Sequence, residues 1–250
     1  MQLTIRNRIE TVQTKIEQIC NRTGRNTSEI TFIGVTKGHG IEQVNEALES
    51  GITDLGENKS QELLLKQQQL AHQQTEPSWH FLGHLQSNKV KKTIHKIDTL
   101  HSLDSTSLIA TINKHRLEAK INEQINPDSP PLKCFIEVNI ANEPQKSGIH
   151  RNQLELLLLH ADSSSEILVE GLMTIAPYYE EIERTRPVFQ ELRELAHSFG
   201  LKKLSMGMSR DFEIAIEEGS TAIRLGTTIF GERQREHPKP LNEENKTRKI

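Results

Sequence analysis

Helical and extended hydrophobic patterns alternate along the whole of this chain. Near the start, apolar residues recur every three or four positions, as on one face of an amphipathic helix: Ile5, Ile9, Val12, Ile16 and Ile19. Eight short apolar segments follow, each typical of a buried strand: 30–36, 52–56, 79–83, 99–104, 133–140, 169–175, 203–208 and 222–226. Helical stretches lie between them, including 41–50, 60–73, 181–199 and 213–218.

Strands that alternate with helices predict a parallel sheet. The chain has 250 residues, about the length of one (β/α)8 barrel. We therefore predict an α/β fold, a single TIM barrel with an extra N-terminal helix, formed by residues 1–231. Residues 232–250 are charged, contain Pro238 and Pro240 and lack periodicity, so we expect a disordered polar tail.

The composition argues against several classes of function. The formal net charge is -3, with acidic and basic residues interspersed, whereas a nucleic-acid-binding protein needs a strongly basic face. No apolar run approaches the roughly 20 residues of a membrane span, and the first residues lack the apolar core of a signal peptide. Cys20 and Cys134 have neither metal-binding nor redox spacing. We expect a cytoplasmic monomer with free thiols that binds neither nucleic acid nor membrane.

Polar residues gather where the predicted strands end, which in a barrel is where active sites lie. These strand ends carry Lys37, Glu57, Asn58, His84, Asp104, Asn139, Met173, Thr174 and the segments 205–209 and 224–227. A purely structural core would not need so many titratable groups around one mouth.

Lys37 is the most informative of these residues because it follows the first apolar strand directly. A buried ammonium group is costly unless it is paired, deprotonated or chemically modified. The end of a barrel strand is also where a Schiff-base lysine would lie. Spacing alone favours the simpler interpretation, in which the side chain extends from the following loop into solvent.

Two segments look suited to a phosphate group. Segment 205–209 leaves the seventh strand, and its Gly207 permits close backbone approach while Ser209 is placed to cap the next helix. Gly226 and Thr227 follow the eighth strand and offer backbone N–H groups and a hydroxyl. Each feature alone is typical of an ordinary cap or turn. Together, opposite a strand-end lysine, they favour a phosphate site, which barrels often form after strands seven and eight.

Three further residues have competing interpretations. Arg224 lies within an apolar strand, where it either pairs with a nearby carboxylate or points a cation into the site. His80 and His84 have a spacing that suggests zinc, but they straddle a strand end instead of sharing a helix face, so we discount a metal. Asp104 is better explained as a helix cap than as a general acid, with Ser105 as the other candidate for that cap.

Several motifs, in this order along nearly the whole chain, carry a resemblance to a known family. They are Val35-Thr36-Lys37, Gly56-Glu57-Asn58, Trp79-His80-Phe81-Leu82-Gly83-His84-Leu85-Gln86-Ser87-Asn88-Lys89, Lys146-Ser147-Gly148, Gly171-Leu172-Met173, Ser205-Met206-Gly207-Met208-Ser209 and Arg224-Leu225-Gly226-Thr227. The chain resembles the pyridoxal phosphate homeostasis protein family, barrel proteins similar to the N-terminal domain of bacterial alanine racemase. It departs from the family after Lys37, where Gly38-His39-Gly40 should loosen the loop.

The resemblance implies a set of roles for these residues. Lys37 would form an internal aldimine with pyridoxal 5'-phosphate, and its phosphate would be held by Ser209, Gly226 and Thr227. Asn58 would lie near the cofactor ring, and Arg224 would face the pyridine nitrogen. An arginine there cannot accept a proton and disfavours a pyridinium ion. The cofactor would then be a poor electron sink, which argues against transaminase or decarboxylase chemistry.

Two functions remain open, and we favour the first. It is a carrier or regulator in intracellular vitamin B6 homeostasis, without robust catalysis, whose partners are apo-enzymes or regulatory proteins. The alternative is an amino-acid racemase, which needs an acid or base on each face of its substrate. In alanine racemase a tyrosine from a separate domain supplies the second group. Here Tyr178 and Tyr179 would reach the mouth only if the loop after strand six folded inward.

Overall fold

Eight parallel strands form the centre of the protein. The computed structural model describes residues 3–71 and 76–232. The strands are β1 (Thr31–Val35), β2 (Asp54–Glu57), β3 (Ser78–Phe81), β4 (Thr99–Leu103), β5 (Leu132–Glu137), β6 (Ile167–Met173), β7 (Lys203–Met208) and β8 (Ala222–Leu225). Each pairs with its neighbours in chain order, and β8 pairs with β1, so the sheet closes. The predicted barrel is confirmed.

Helices connect the strands on the outside of the barrel. They are α1 (Ile5–Thr23), α2 (Ile41–Glu49), α3 (Ser60–Leu70), α4 (Ser87–Thr93), α5 (Thr106–Ile121), α6 (Leu154–Asp162), α7 (Arg186–Ser198), α8 (Phe212–Glu217) and α9 (Thr227–Phe230). None of the helices in the described ranges is both long and apolar enough to cross a membrane. The tail predicted at 232–250 lies, apart from Glu232, outside the described residues, and the boundary at residue 231 stays a prediction.

The additional N-terminal helix covers a part of the barrel where the other helices are short. All five of the periodic apolar residues of α1 are buried: Ile5, Ile9, Val12, Ile16 and Ile19. The helix packs against α2, α8 and α9. Because α8 has only 6 residues and α9 only 4, they cannot bury that side of the sheet alone. The apolar face of α1 supplies the missing cover.

Most predicted bounds shift by one to three residues in the structure, and two of the elements differ for a clear local reason. The fifth strand was expected to reach residue 140 but ends at Glu137. Beyond it, the side chain of Asn139 both accepts from and donates to the backbone of Glu143, which turns the chain away from the sheet. The helix predicted over 181–199 is divided into a 3-10 turn, Ile182–Thr185, and α7. Pro187 lies in the first turn of α7, where its missing N–H is tolerated.

Candidate functional site

A cavity of about 350 Å³ opens at the carboxyl ends of the strands. Its walls come mainly from the segments that follow β1, β2, β6, β7 and β8. All six residues that the sequence nominated line it: Lys37, Asn58, Ser209, Arg224, Gly226 and Thr227. His84, Asp104 and Asn139, at the other strand ends, do not. The structure therefore brings the nominated set together on one side of the mouth, while the role of each residue stays a prediction.

Lys37 lies two residues beyond the end of β1, on a well-anchored piece of backbone. It is half-buried and lines the cavity instead of simply extending into solvent. The preceding Thr36 donates its hydroxyl to Glu57 over 2.5 Å, and its carbonyl accepts from the ammonium of Lys66 over 2.6 Å. Lys66 also forms a buried ion pair with Glu57. Because Thr36 is held through both its hydroxyl and its carbonyl, the backbone just before Lys37 is fixed in place.

The segment after Lys37 is held more firmly than its glycines led us to expect. Gly38 has a φ of +73°, a conformation that glycine adopts readily, and its N–H donates to Glu62 over 2.9 Å. The ring of His39 stacks on Phe230 with 4.9 Å between centroids. The expected loosening of this loop is therefore offset by a hydrogen bond from α3 and a ring contact from α9.

The two loops predicted to bind phosphate are joined to each other. The hydroxyl of Ser209 accepts from the backbone N–H of Thr228 over 3.2 Å, and Thr228 donates its own hydroxyl to the carbonyl of Ser209. The assignment of Ser209 as a helix cap was wrong, because α8 begins after Asp211, whose carboxylate accepts from the N–H of Met208. Since Ser209 accepts from Thr228, its own hydroxyl hydrogen can still be donated to an anion.

A glycine makes this loop arrangement possible. Gly207 has a φ of +93°, and a Cβ atom there would lie 2.5 Å from the Cβ of Ala215. Any other residue would therefore push α8 away from β7. The close approach places the loop that carries Ser209 beside the start of α9, where Gly226 and Thr227 lie.

Arg224 is buried inside the barrel and is held by neutral oxygen atoms. One guanidinium nitrogen donates to the hydroxyl of Ser205 over 2.6 Å, and the other donates to the carbonyl of Thr174 over 3.0 Å. Burial lowers the pKa of Arg224 to about 10, against the opposing influence of the Asp211 and Glu137 carboxylates. The group is still charged at neutral pH. The ion-pair interpretation fails, since Arg224 forms no salt bridge among the described residues.

Beyond Ser205, a line of polar side chains crosses the barrel interior. The Nδ1 atom of His101 lies 2.7 Å from the hydroxyl of Ser205, and its Nε2 atom lies 2.8 Å from Nδ1 of His80. Nε2 of His80 lies 2.9 Å from a carboxylate oxygen of Asp54. Sequence reasoning missed this line. The only available signal was a polar residue at inward positions of several apolar strands.

The two histidines that suggested a metal site have separate partners. His80 is buried between His101 and Asp54, whereas the exposed His84 contacts Asp104 over 3.0 Å. Of the two candidate caps of α5, Ser105 is the one that caps the helix, and Asp104 is not. Within the part of the chain that the structure describes, no group of three or more His, Cys, Asp or Glu residues is arranged to hold a metal ion.

The loop after β6 brings both tyrosines of the chain to the wall of the cavity. The guanidinium of Arg210 lies 4.1 Å from the ring centroid of Tyr178, and that of Arg184 lies 4.9 Å from the ring of Tyr179. Arg210 also donates to the carbonyl of Tyr179 over 3.2 Å. Cation–π contacts of this kind stabilise by about 0.5–1 kcal/mol at exposed sites. The loop therefore folds inward, as the racemase alternative requires.

Comparison with known sequences assigns the chain to a family. The model of the alanine racemase N-terminal domain matches residues 9–234. The pyridoxal phosphate homeostasis protein of Aquifex aeolicus is 38% identical over 233 residues, covering 91% of this chain and 97% of that protein. The protein of the same name from Escherichia coli K12 is 36% identical over 242 residues, covering 92% and 97%. This chain belongs to the pyridoxal phosphate homeostasis protein family.

Solved structures agree with that membership. PipY from Synechococcus elongatus, solved with PLP bound, is 29% identical with a TM-score of 0.73, and the match covers 87% of this chain and 100% of PipY. An alanine racemase from Clostridium difficile matches at 13% identity with a TM-score of 0.66, covering 88% of this chain and 56% of the racemase. The second likeness shows the shared barrel fold alone.

The buried His101 predicts a specific dependence of stability on pH. Burial, with smaller effects of His80 and Arg224, holds the pKa of His101 well below its usual 6.5. Below pH 6.5 His101 therefore binds a proton in the unfolded chain but not in the folded protein. The free energy of unfolding falls as the pH falls. One such group contributes up to about 1.4 kcal/mol per pH unit.

Urea unfolding of the wild type and of His101→Phe between about pH 7 and pH 5 would measure this contribution. We expect the variant to be less stable at pH 7, because Ser205 and His80 lose their partner, but to lose less further stability on acidification. Glu137, whose pKa is raised by burial, contributes an opposite slope to both proteins and cancels in the comparison. Parallel pH profiles would contradict a neutral His101.

Proposed function

We propose that this protein binds pyridoxal 5'-phosphate through Lys37 and acts in intracellular vitamin B6 homeostasis as a carrier or regulator, without robust catalysis. The observation that carries the proposal is the single cavity that Lys37, Arg224 and the joined loops of Ser209 and Thr227 line together. Relatives that share more than a third of its residues bear the name pyridoxal phosphate homeostasis protein. PipY, of the same barrel fold, has been solved with PLP bound.

The chemistry of the cavity residues fits this cofactor. When bound, pyridoxal phosphate supplies an aldehyde that primary amines capture reversibly. Lys37 offers the amine, and Ser209, Thr227 and the backbone of Gly226 offer hydrogen-bond donors for the phosphate. Asn58 lies on the same wall and would contact the ring. Half-burial of Lys37 beside a water-accessible mouth suits a bond that must form and also be released.

Arg224 argues for holding the cofactor instead of using it for catalysis. Its guanidinium is buried, is charged at neutral pH and is oriented by Ser205 and Thr174. A fixed cation facing the ring nitrogen would oppose protonation of that nitrogen. Without that protonation the ring withdraws electrons only weakly. It would therefore give little stabilisation to reactions that develop negative charge on a bound amino acid.

The racemase alternative has one observation in its favour, which is that Tyr178 and Tyr179 line the cavity. A tyrosine on the side opposite Lys37 would supply the second acid or base of a two-base mechanism. Each ring, however, lies against an arginine side chain, and Tyr178 is 78% exposed to solvent. We favour the carrier because a catalytic acid–base group is expected to be buried, whereas these tyrosines are in contact with arginines and Tyr178 is exposed. Such residues are better suited to a loop that covers the cofactor.

The expected partners follow from the carrier role. An open cavity lets a competing amine reach the cofactor, so apo-enzymes that need pyridoxal phosphate are the acceptors that we propose, with regulatory proteins as the second class. We propose that the protein acts in the cytoplasm and as a monomer.

Covalent attachment at Lys37 is the first prediction. Borohydride reduction of the loaded protein, followed by peptide mapping, should find the cofactor on Lys37. Lys37→Ala should lose the covalent bond but retain some phosphate-anchored binding. Lys59→Ala is the matched control, because the Lys59 side chain is 75% exposed and does not line the cavity. An unmodified Lys37 in the reduced wild type would refute the proposal.

The phosphate site gives the second prediction. Ser209→Ala should weaken cofactor binding by about 1.5–3 kcal/mol, or roughly one to two decades, because it removes a donor to a charged group. Thr227→Ala should act in the same direction. Equilibrium binding should be measured with pyridoxal phosphate and with pyridoxal, which lacks the phosphate. A loss confined to pyridoxal phosphate identifies the phosphate contact, whereas equal losses would mean that the variant only disturbs the contact with Thr228.

The third prediction separates carrier from racemase. The loaded protein should transfer its cofactor to an apo-enzyme or a small amine within hours, in an assay that traps free cofactor separately. Chiral analysis after long incubation with common amino acids should find no turnover near ordinary enzyme rates of about 1 s⁻¹ or more. If turnover appeared and Tyr178→Phe or Tyr179→Phe abolished it, the protein would be a racemase. Failure to transfer would favour a regulator with permanently bound cofactor.

A further inference from the structure

A continuous line of hydrogen bonds connects Arg224 to a carboxylate on the other side of the barrel interior. Its four bonds, from Arg224 through Ser205, His101 and His80 to Asp54, measure 2.6, 2.7, 2.8 and 2.9 Å. These residues come from β8, β7, β4, β3 and β2. The three inner residues are almost wholly inaccessible to solvent, with exposures of 0% for Ser205 and His101 and 6% for His80.

The groups at the two ends set the direction of the protons along this line, because a guanidinium only donates and an ionised carboxylate only accepts. A guanidinium only donates, so the hydroxyl oxygen of Ser205 accepts from Arg224, and the hydroxyl hydrogen then has Nδ1 of His101 as an acceptor 2.7 Å away. His101 then carries its proton on Nε2 and donates to Nδ1 of His80. His80 in turn carries its proton on Nε2 and donates to Asp54.

Both histidines must be neutral for this arrangement to hold. A proton on Nδ1 of His101 would face the Ser205 hydroxyl, which already accepts from Arg224, and would leave the hydroxyl hydrogen without its acceptor. Burial opposes that proton as well, since it holds the pKa of His101 well below its usual range. Stacking on Phe135, with 4.7 Å between ring centroids, fixes the plane of the His101 ring.

The line ends on an ionised group. Although burial opposes ionisation, hydrogen bonds from His80 and Thr53 hold the pKa of Asp54 below its usual value. The line thus joins a buried cation to a carboxylate through the side chains of Ser205, His101 and His80. Hydrogen bonds in such a chain polarise one another, so the bond that Ser205 makes to Arg224 is strengthened by the bonds behind it.

We propose that Asp54, His80, His101 and Ser205 form a positioning relay that holds the Arg224 guanidinium in one orientation at the wall of the cavity. Ser205 holds one nitrogen of the group and the Thr174 carbonyl holds the other, so the cation cannot turn toward Asp211 or Glu137. The relay itself rests on the geometry of this chain. Its consequence for bound pyridoxal phosphate rests on the proposed function.

Nuclear magnetic resonance of the protein without added cofactor tests the direction of the relay. In 15N-histidine-labelled protein at pH 7, two-bond nitrogen–proton correlations should show His80 and His101 as neutral Nε2–H tautomers, with His101→Phe used for assignment. An Nδ1–H tautomer or an imidazolium at His101 would overturn the proposal. This result does not depend on whether the protein binds pyridoxal phosphate.

A matched pair of variants tests positioning. Ser205→Ala removes the acceptor of Arg224, whereas Ser102→Ala removes another buried hydroxyl, one that donates to the Gly83 carbonyl. We expect Ser205→Ala to speed hydrogen exchange of the Arg224 guanidinium about tenfold and to weaken pyridoxal phosphate binding about tenfold. Ser102→Ala should change neither. Equal effects of the two variants would mean a merely structural role.

Asp54→Ala keeps the proposal testable if Ser205→Ala does not fold. It removes the last acceptor without contacting Arg224, and Asp98→Ala, which removes a carboxylate that accepts from the Trp79 backbone, is its control. We expect Asp54→Ala to speed guanidinium exchange and to shift the visible absorption of the loaded protein, and Asp98→Ala to do neither. Unchanged exchange in Asp54→Ala would overturn the relay. If guanidinium exchange in the variants changes as expected but the wild type binds no pyridoxal phosphate, the relay stands and only the proposed function is refuted.

Discussion

Closure of the sheet between its first and last strands is the constraint on which the rest of the structure depends. Residues 31–34 of β1 pair with residues 222–225 of β8, although most of the chain lies between them. Because parallel strands in a closed barrel point the same way, the end of β1 then lies beside the end of β8. Lys37, Gly226 and Thr227 share a cavity only through this pairing.

Inside the barrel, the hydrogen bonds of the charged Arg224 guanidinium to other described residues go to neutral oxygens. A buried cation is costly unless it is well solvated by protein dipoles. Arg224 receives two such contacts, and its more distant carboxylates, Asp211 and Glu137, do not touch it. The polar line through His101 and His80 therefore makes an apolar core able to accommodate a guanidinium at the wall of the site.

The same cavity combines a rigid wall with a more exposed one. On the rigid side, buried contacts among Thr36, Glu57 and Lys66 fix the backbone before Lys37. On the exposed side, Tyr178 and Tyr179 belong to a loop held by contacts with Arg210 and Arg184. Contacts at exposed sites are weak and are readily exchanged. A site built this way is consistent with the proposed carrier role, which requires both retention and release of the cofactor.

Much of this protein was determined by local sequence. The periodicity of apolar residues predicted eight strands, α1 and the barrel class. A helix that buries one face and a short buried strand each produce a distinct spacing of apolar residues in the sequence. Strand-end positions made Lys37 and the loops of Ser209 and Thr227 candidates, and a chain of motifs gave the roles of the site residues and the family. The predicted ends of strands and helices were less accurate where side-chain hydrogen bonds set them. An example is Asn139, whose side chain turns the chain after β5.

Tertiary structure alone decided which polar groups meet. The bond of Ser209 to Thr228 and the line from Ser205 to Asp54 join residues from different strands, and no sequence spacing encodes such contacts. Arg224 had two interpretations from sequence, since alternation along a short strand does not say what lies opposite. Barrel closure resolved them by setting Ser205 and Thr174 around the guanidinium, because hydrogen bonds depend on distances in space and not on separation along the chain.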